Sequence, residues 1–189
     1  MIEKLKKQLK AYSCWNEQEE REMPLILRAL EEKDIFLREN LRNHFTASAW
    51  ITNRGRNKVL MAYHKLYDAW AWTGGHADGD DDLLRVAIKE AQEETGVHAA
   101  ALDEDIFSIE ILNVNGHEKR GIYVPSHLHL NVTYLLEADE NEAIRSKEDE
   151  NSAVRWFGLD EALENCSEPW MVQRIYSKLN AKLRARFDR

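Results

Sequence analysis

Three glutamates at helical spacing are the residues of this sequence whose arrangement best predicts chemistry. Glu90, Glu93 and Glu94 stand at i, i+3 and i+4 within segment 83–95, which has the pattern of one strong helix. Like charges at this spacing destabilise a helix by roughly 0.2–0.5 kcal/mol per pair. Crowded carboxylates repel each other or take up protons unless a cation lies among them. Oxygen-only ligands suit Mg²⁺, with Mn²⁺ as a substitute, and Mg²⁺ commonly joins protein carboxylates to substrate phosphates.

The residues around this helix predict a tight loop and two well-defined helix ends. Gly74, Gly75 and Gly79 permit a tight turn and a close backbone approach. The acidic run 80–82 stands before or in the first helical turn, where negative charge is favoured. Gly96 fits the left-handed residue that ends a helix.

The helix is predicted to bury one narrow apolar stripe. Its members are Leu84, Ala87, Ile88, Ala91 and Thr95. Because the three glutamates flank this stripe, we expect at least Glu94 to be partly removed from water. Lys89 lies four residues before Glu93 and is placed to orient that carboxylate.

Segment 75–97 resembles the Nudix box, whose pattern is G-x5-E-x7-R-E-U-x-E-E-x-G-U with U an aliphatic residue. The positions that match are Gly75, Glu90, Ala91, Glu93, Glu94, Gly96 and Val97. Two positions depart conservatively. Asp81 stands at the first glutamate, and Lys89 stands at the arginine, which keeps the charge but loses the planar guanidinium.

The resemblance extends over about residues 44–165. Trp70 is similar to the aromatic residue that often precedes the glycine pair of this family, although Thr73 replaces a frequent proline. Segment 154–161 resembles the strand and helix that end many members.

The resemblance implies a pyrophosphohydrolase, an enzyme that hydrolyses acid anhydrides in phosphorus-containing compounds with a divalent metal. The substrate would be a small nucleoside diphosphate linked to another group, such as a nucleotide sugar or a dinucleotide. Glu90, Glu93 and Glu94 would bind Mg²⁺ or Mn²⁺, and Glu93 and Glu94 are also predicted to be catalytic. The same resemblance predicts substrate binding by Gly74, Gly75, His76 and Trp70, and orienting roles for Lys89 and Asp81.

The general base is left open between two positions, because the family uses either a box glutamate or a glutamate from a later loop. Glu150 stands in the acidic run 147–151, directly before the last predicted strand. We therefore predict it as the catalytic base of the second kind. The alternative is a solvated acidic loop without a chemical role.

Two further groups of residues have both a functional and a structural interpretation. His127 and His129 share one face of a predicted strand, where they either bind metal or phosphate or make hydrogen bonds along the strand. Trp50, Trp70 and Trp72 either stack on a nucleobase or belong to the core.

The helix and strand patterns around these residues predict an α+β or mixed α/β fold. Helical patterns cover 1–43, 83–95, 159–165 and 170–187, and strand patterns cover 44–51, 59–64, 106–114, 127–137 and 154–157. Pro24 is either a kink or the start of a new helix. With the resemblance, the expectation is a Nudix-like α/β/α sandwich with a mixed sheet over 44–189, which includes a C-terminal helix. Residues 1–43 are predicted to be an N-terminal helical extension.

Composition limits the partners and the compartment. The 189 residues carry 26 Lys and Arg against 34 Asp and Glu, a net charge of −8, which argues against a nucleic-acid polymer as partner. No apolar run approaches the ~18 residues that span a bilayer, so no membrane partner is expected. Cys14 and Cys166 are the only cysteines, so a reducing cytoplasm is expected. The N-terminal apolar stripe packs either on the domain or across a homodimer.

Two other functions compete with the leading one. The first is cleanup of damaged nucleoside triphosphates by a pyrophosphohydrolase of the same family. The second is a non-catalytic nucleotide sensor with the same fold. This alternative is considered because Asp81 and Lys89 depart from the Nudix box pattern.

Overall fold

A mixed sheet of eight strands forms the centre of the protein in a computed structural model, which describes residues 2–119 and 121–187. The strands are β1 (Asn43–Asn53), β2 (Lys58–His64), β3 (Ala69–Ala71), β4 (Thr73–His76), β5 (Ala100–Ala101), β6 (Ser108–Val114), β7 (His117–Lys119), β8 (Ile122–Val124), β9 (His127–Ala138) and β10 (Asn151–Gly158). The path through the sheet is β10-β2-β1-β9-β5, with β3 beside β2, β4 beside β1 and β6 beside β9. β1 and β9 pair in parallel over their whole length, whereas β7 and β8 form a separate hairpin.

Helices precede, interrupt and follow the strands. They are α1 (Ile2–Ala11), α2 (Glu17–Ala29), α3 (Leu83–Thr95), α4 (Leu159–Asn165), α5 (Pro169–Met171), a π-helical turn (Val172–Tyr176) and α6 (Ser177–Phe187). The bounds predicted for α3 and α4 are confirmed. The region 1–43, predicted to be helical, contains the two helices α1 and α2, but residues 30–42 form turns and bends instead. α2 continues through Pro24, so this proline does not start a new helix.

Helices cover both faces of the sheet. On β1, Phe45, Ala47, Ala49 and Ile51 belong to a core cluster that also contains residues of α1, α2 and α3. Trp50 faces the opposite side, in a second cluster with residues of α4 and α6. Since strand side chains alternate between faces, one strand supplies both cores. The predicted mixed α/β architecture, with a mixed sheet between helices, is confirmed.

The helix α3 has the ends that the sequence predicts. The Asp82 side chain accepts a hydrogen bond from Arg85 N, and Gly96 ends the helix at φ +78°. The buried stripe contains the predicted Ala87, Ala91 and Thr95, but it is rotated toward Leu83 and Val86. The predicted members Leu84 and Ile88 lie at its margin, partly buried against the core.

The N-terminal helices pack on the same core as α3. Leu5 and Leu9 of α1 and Ile26 of α2 are buried there, so the apolar stripe of α1 packs on its own chain. The division of the chain between residues 43 and 44 stays a prediction. Among the described residues, no helix combines the length and the apolar composition that crossing a membrane requires.

Candidate active site

The C-terminal half of α3 lies against the glycine pair of β4. The Gly74 N–H donates a hydrogen bond to Glu94 Oε1 at 2.9 Å. A Cβ atom added to Gly75 would lie 2.5 Å from Glu90 Cδ. A side chain at position 75 would therefore displace the Glu90 carboxylate, and the glycine pair, which lies in a strand and not in the predicted loop, is close to two of the predicted metal ligands.

Glu94 is a buried carboxylate held from both sides. Glu94 is 5% exposed, and Asn151 Nδ2 donates a hydrogen bond to Glu94 Oε2 at 3.0 Å. Burial raises the pKa of Glu94 to about 7, against the two hydrogen bonds, and the charges of Glu90 and Glu150 add to this rise. The prediction that Glu94 is removed from water is confirmed.

Glu90 and Glu93 lie beside Glu94 with Lys89 between them. Lys89 Nζ is 3.6 Å from Glu90 Oε1 and 3.6 Å from Glu93 Oε1. The Glu90 side chain is 13% exposed, whereas that of Glu93 is 42% exposed. Burial raises the pKa of Glu90; the charge of Lys89 opposes this rise and that of Glu93 adds to it.

The loop before β10 brings Glu150 to the same place. Lys147 Nζ lies 2.8 Å from Glu150 Oε2 and 3.8 Å from Glu93 Oε2, so one ammonium group connects the loop to the helix. The loop is fixed to the end of β2, because Lys65 N–H donates to Glu150 O at 3.0 Å. A glutamate separated from α3 by more than fifty residues thus lies beside the three helical ones.

The donor set of this region fits a divalent cation. Three carboxylates, those of Glu90, Glu93 and Glu150, contact the two lysines Lys89 and Lys147, and the buried carboxylate of Glu94 lies beside them. The raised pKa values of Glu90 and Glu94 show that their ionised forms carry a desolvation cost in the metal-free protein. Carboxylate oxygens are the ligands that Mg²⁺ and Mn²⁺ prefer, and a bound cation would offset this cost.

Other predicted site residues lie elsewhere. Asp81 is at the opposite end of α3, where it lines a small cavity with Lys4 and Gln8, about 12 Å along the helix axis from Lys89. The Trp70 ring packs edge-on against Tyr63 and Phe157, at the margin of the second core cluster. The structure therefore does not bring Asp81 to the glutamates. The orienting role of Asp81 and the substrate-binding role of Trp70 stay predictions.

His76 follows the glycine pair directly, at the end of β4. Its ring lies 5.1 Å from that of His44 and 4.9 Å from that of His129.

The core interpretation of Trp50 is confirmed, because its buried ring stacks on Tyr176.

Three residues near the site were missed by sequence reasoning. Asn151 bonds Glu94, Lys147 contacts Glu93 and Glu150, and His44 lies in the group of histidines around His76. Lys147 and Asn151 stand in the same short segment as Glu150, which was the available signal. His127 and His129 come 83 and 85 positions after His44 in the chain, so no spacing rule connects the three histidines.

Comparison with known proteins identifies the domain. The family model described as the NUDIX domain matches residues 42–177. A bis(5'-nucleosyl)-tetraphosphatase [asymmetrical] of Rattus norvegicus is 30% identical over 96 residues, which are 50% of this chain and 59% of that protein. The Mus musculus protein of the same name is 31% identical over 97 residues, with the same coverage of 50% and 59%. The chain thus spans less than two thirds of the length of these relatives.

A third relative and two solved structures are also similar. A probable DHNTP pyrophosphohydrolase of Lactococcus lactis subsp. cremoris is 29% identical over 121 residues, 62% of this chain and 69% of that protein. A NUDIX-family hydrolase from Clostridium perfringens matches 73% of this chain and 97% of its own, with a TM-score of 0.50 and 19% identity. A C. elegans Ap4A hydrolase in a binary complex matches 76% and 97%, with a TM-score of 0.52 and 20% identity. These structural matches show that the fold is shared.

Proposed function

Because the chain belongs to the NUDIX family, we propose that it is a metal-dependent pyrophosphohydrolase acting on a small nucleoside diphosphate derivative. The observation that carries the proposal is the buried Glu94, held between the Gly74 N–H and the Asn151 amide, with Glu90, Glu93 and Glu150 around it. This arrangement holds a group of carboxylates against the backbone of the glycine pair.

The residues proposed to hold the cation are Glu90, Glu93 and Glu94, and the proposed ion is Mg²⁺, with Mn²⁺ as a substitute. When bound, the cation supplies charge neutralisation for the diphosphate and lowers the pKa of the attacking water. Lys89 restrains Glu90 and Glu93 through its two contacts.

Glu150 is the proposed general base. It takes a proton from water as the water oxygen bonds to phosphorus, and the anhydride P–O bond breaks with its electrons going to the leaving phosphate. Its exposed carboxylate and its contact with Lys147, which also contacts Glu93 of α3, support this assignment. The glycine pair lets β4 lie close to Glu90 and to β1, where added Cβ atoms would meet other atoms at 2.5 Å.

The favoured substrate is a dinucleoside polyphosphate. Two of the relatives are named as tetraphosphatases of this kind. A second candidate is a nucleoside triphosphate derivative, because another relative is named as a probable DHNTP pyrophosphohydrolase. Off-centre hydrolysis of a dinucleoside tetraphosphate would release a nucleoside monophosphate and a nucleoside triphosphate, whereas the second activity would release pyrophosphate.

The test is a product analysis over a nucleotide panel with Mg²⁺. The panel contains dinucleoside tetraphosphates, nucleoside triphosphates and nucleotide sugars, and products are separated by ion-exchange chromatography. We expect turnover that Glu94→Gln abolishes and that Glu164→Gln, an exposed glutamate of α4, retains. Thermal stabilisation by nucleotide without turnover would contradict the proposal and support a nucleotide sensor.

A further inference from the structure

Three histidines meet at one end of the central strand pair. His44 is the second residue of β1, and His129 is its partner in the register of β9, with His127 two residues earlier on the same face. One ring nitrogen from each histidine lies within 4.8 Å of the others. His127 Nε2 and His129 Nε2 are 3.1 Å apart. We call His44, His127 and His129 the histidine cluster.

Backbone carbonyls orient two of these rings. His44 Nδ1 is 3.0 Å from Asn40 O, and His127 Nδ1 is 2.9 Å from Pro125 O. A carbonyl accepts only from a protonated nitrogen, so Nδ1 carries the proton in both rings and Nε2 keeps its lone pair. Metal-binding histidines typically have this arrangement, with the second nitrogen fixed by a backbone or carboxylate acceptor.

The His44 ring also has an unmet requirement. His44 is 2% exposed, and its Nε2 atom is buried without a hydrogen-bond partner. A buried acceptor that stays unpaired is unfavourable by about 1–3 kcal/mol. A hydrogen bond between His127 and His129 accounts for those two rings, but it leaves His44 Nε2 unexplained.

We propose that the histidine cluster binds a transition-metal ion of the Zn²⁺ type, at a site separate from the carboxylates of α3. Zinc–nitrogen bonds of ~2.0–2.1 Å in tetrahedral geometry place two ligand nitrogens about 3.3 Å apart, close to the separation of His127 and His129. Three imidazoles suit Zn²⁺ and its chemical neighbours, whereas Mg²⁺ prefers oxygen. Three protein ligands leave a fourth position for water.

The protonation of the rings agrees with this proposal. Burial lowers the pKa of His44, and burial together with the neighbouring histidines lowers the pKa of His129 to about 2. These rings are neutral near pH 7, the form that binds metals. His76, directly after Gly75, has its ring 4.9 Å from that of His129, so the proposed ion lies close to the glycine pair of β4.

The test measures metal binding and does not depend on hydrolysis. Tag-free protein is stripped with a chelator and titrated with Co²⁺ in excess Mg²⁺, which occupies carboxylate sites. Visible absorption reports nitrogen-ligated cobalt, and Zn²⁺ is then added to displace it. We expect one equivalent of Co²⁺ for the wild type and at least about 10–100-fold weaker binding for His44→Gln and for His129→Gln.

Two controls make the result specific. His98→Gln changes an exposed histidine paired with Glu142 and should bind Co²⁺ like the wild type. Glu94→Gln should lose hydrolysis and keep Co²⁺ binding, which separates this proposal from the proposed function. Circular dichroism checks that each variant is folded. If only one of the two cluster variants folds, its Co²⁺ affinity alone is sufficient to test the proposal. Absence of a cobalt spectrum in the wild type, or equal affinity in a folded cluster variant, would overturn the proposal.

Discussion

The carboxylate of Glu94 lies where a charge is costly without a cation. Burial raises its pKa to about 7 from an ordinary value of 4.5, so the folded protein disfavours the ionised form. This penalty is absent below pH 4.5 and grows as the pH rises through 7. Replacement of Glu94 by glutamine removes this penalty. The Asn151 Oδ1 atom lacks a hydrogen-bond partner, and rotation of the Asn151 amide would let it accept from the NH₂ group of the new glutamine.

Glu94→Gln should therefore stabilise the metal-free protein at alkaline pH. The expected gain in the free energy of unfolding is about 2–3 kcal/mol at pH 8.5, from a pKa shift worth ~1.4 kcal/mol per unit. The gain should disappear near pH 4.5. Urea unfolding with a chelator present measures it, and a variant less stable than the wild type at pH 8.5 would contradict the environment assigned to Glu94.

Glu150 and its neighbour Glu148 allow a matched test of the general base. Both stand in the loop before β10 with exposed side chains, but the Glu150 carboxylate is the one paired with Lys147. Glu150→Gln should lower kcat by about 10²–10³-fold, the usual contribution of a positioned base. Glu148→Gln should leave kcat within about twofold of the wild type. Similar kcat values for both variants would contradict this assignment and would indicate that the general base is a glutamate of α3.

Individual site residues were predictable where the signal was local. The burial of Glu94 follows from its place beside an apolar stripe on one helix, and its neighbours at i−1 and i−4 follow from the same geometry. Asn151 and Lys147 are different, because their contacts join residues more than fifty positions apart. Only the folded sheet places them, so helical periodicity contains no information about them.

Among the elements, β4 depends on two glycines for its position between β1 and α3. A Cβ atom on Gly74 would lie 2.5 Å from the backbone oxygen of Ala47. Gly74→Ala should therefore push β4 from β1 and lengthen the Gly74–Glu94 hydrogen bond, at about 1–3 kcal/mol of stability and with loss of turnover. The measurement is denaturant unfolding together with kcat.

Gly158→Ala is the control for this substitution. Gly158 has φ −60°, and its added Cβ would meet no atom closer than 3.8 Å. A Gly74→Ala variant as stable as this control would show that β4 has more room than the structure gives it.

Elements with strong patterns were predictable, and short ones were not. The helix α3 has caps at both ends and an apolar stripe, and its predicted bounds are correct. β4 is missed because Thr73-Gly-Gly-His76 has no alternation and half of it is glycine, which is depleted in strands, and it pairs because β1 is beside it. Segment 30–42 was predicted helical but forms turns, since Asp34 has a positive φ and the Asn40 side chain accepts from the backbone of Arg42 and Asn43.

At the scale of the whole molecule, a buried ion network connects the two ends of the chain. Glu19 of α2 accepts from Lys182 of α6 at 2.6 Å and from Ser108 at 3.0 Å, and Lys178 lies 3.0 Å from the same oxygen. Burial opposes ionisation of Glu19, but the two lysines hold its pKa at about 2. Its contribution to stability is thus present at neutral pH and is lost as the pH falls from 4.5 toward 2.

Glu19→Gln should destabilise the protein by about 3–5 kcal/mol at pH 7, because two buried lysines lose their shared carboxylate. Glu17→Gln, on the exposed face of the same helix, removes a surface pair with Arg21 and should change stability by less than about 1 kcal/mol. Thermal unfolding compares the two. Equal melting temperatures would contradict the network and would support residues 1–43 as an independent extension.

The central claim is that the glutamates of α3 bind a divalent cation beside the glycine pair of β4. The most direct test is a crystal soaked in Mn²⁺ and recorded for anomalous scattering. We expect a peak among the carboxylates of Glu90, Glu93 and Glu94, and its loss in Glu94→Gln crystals. A map with no peak there, with Glu90 and Glu93 turned outward into solvent, would contradict it.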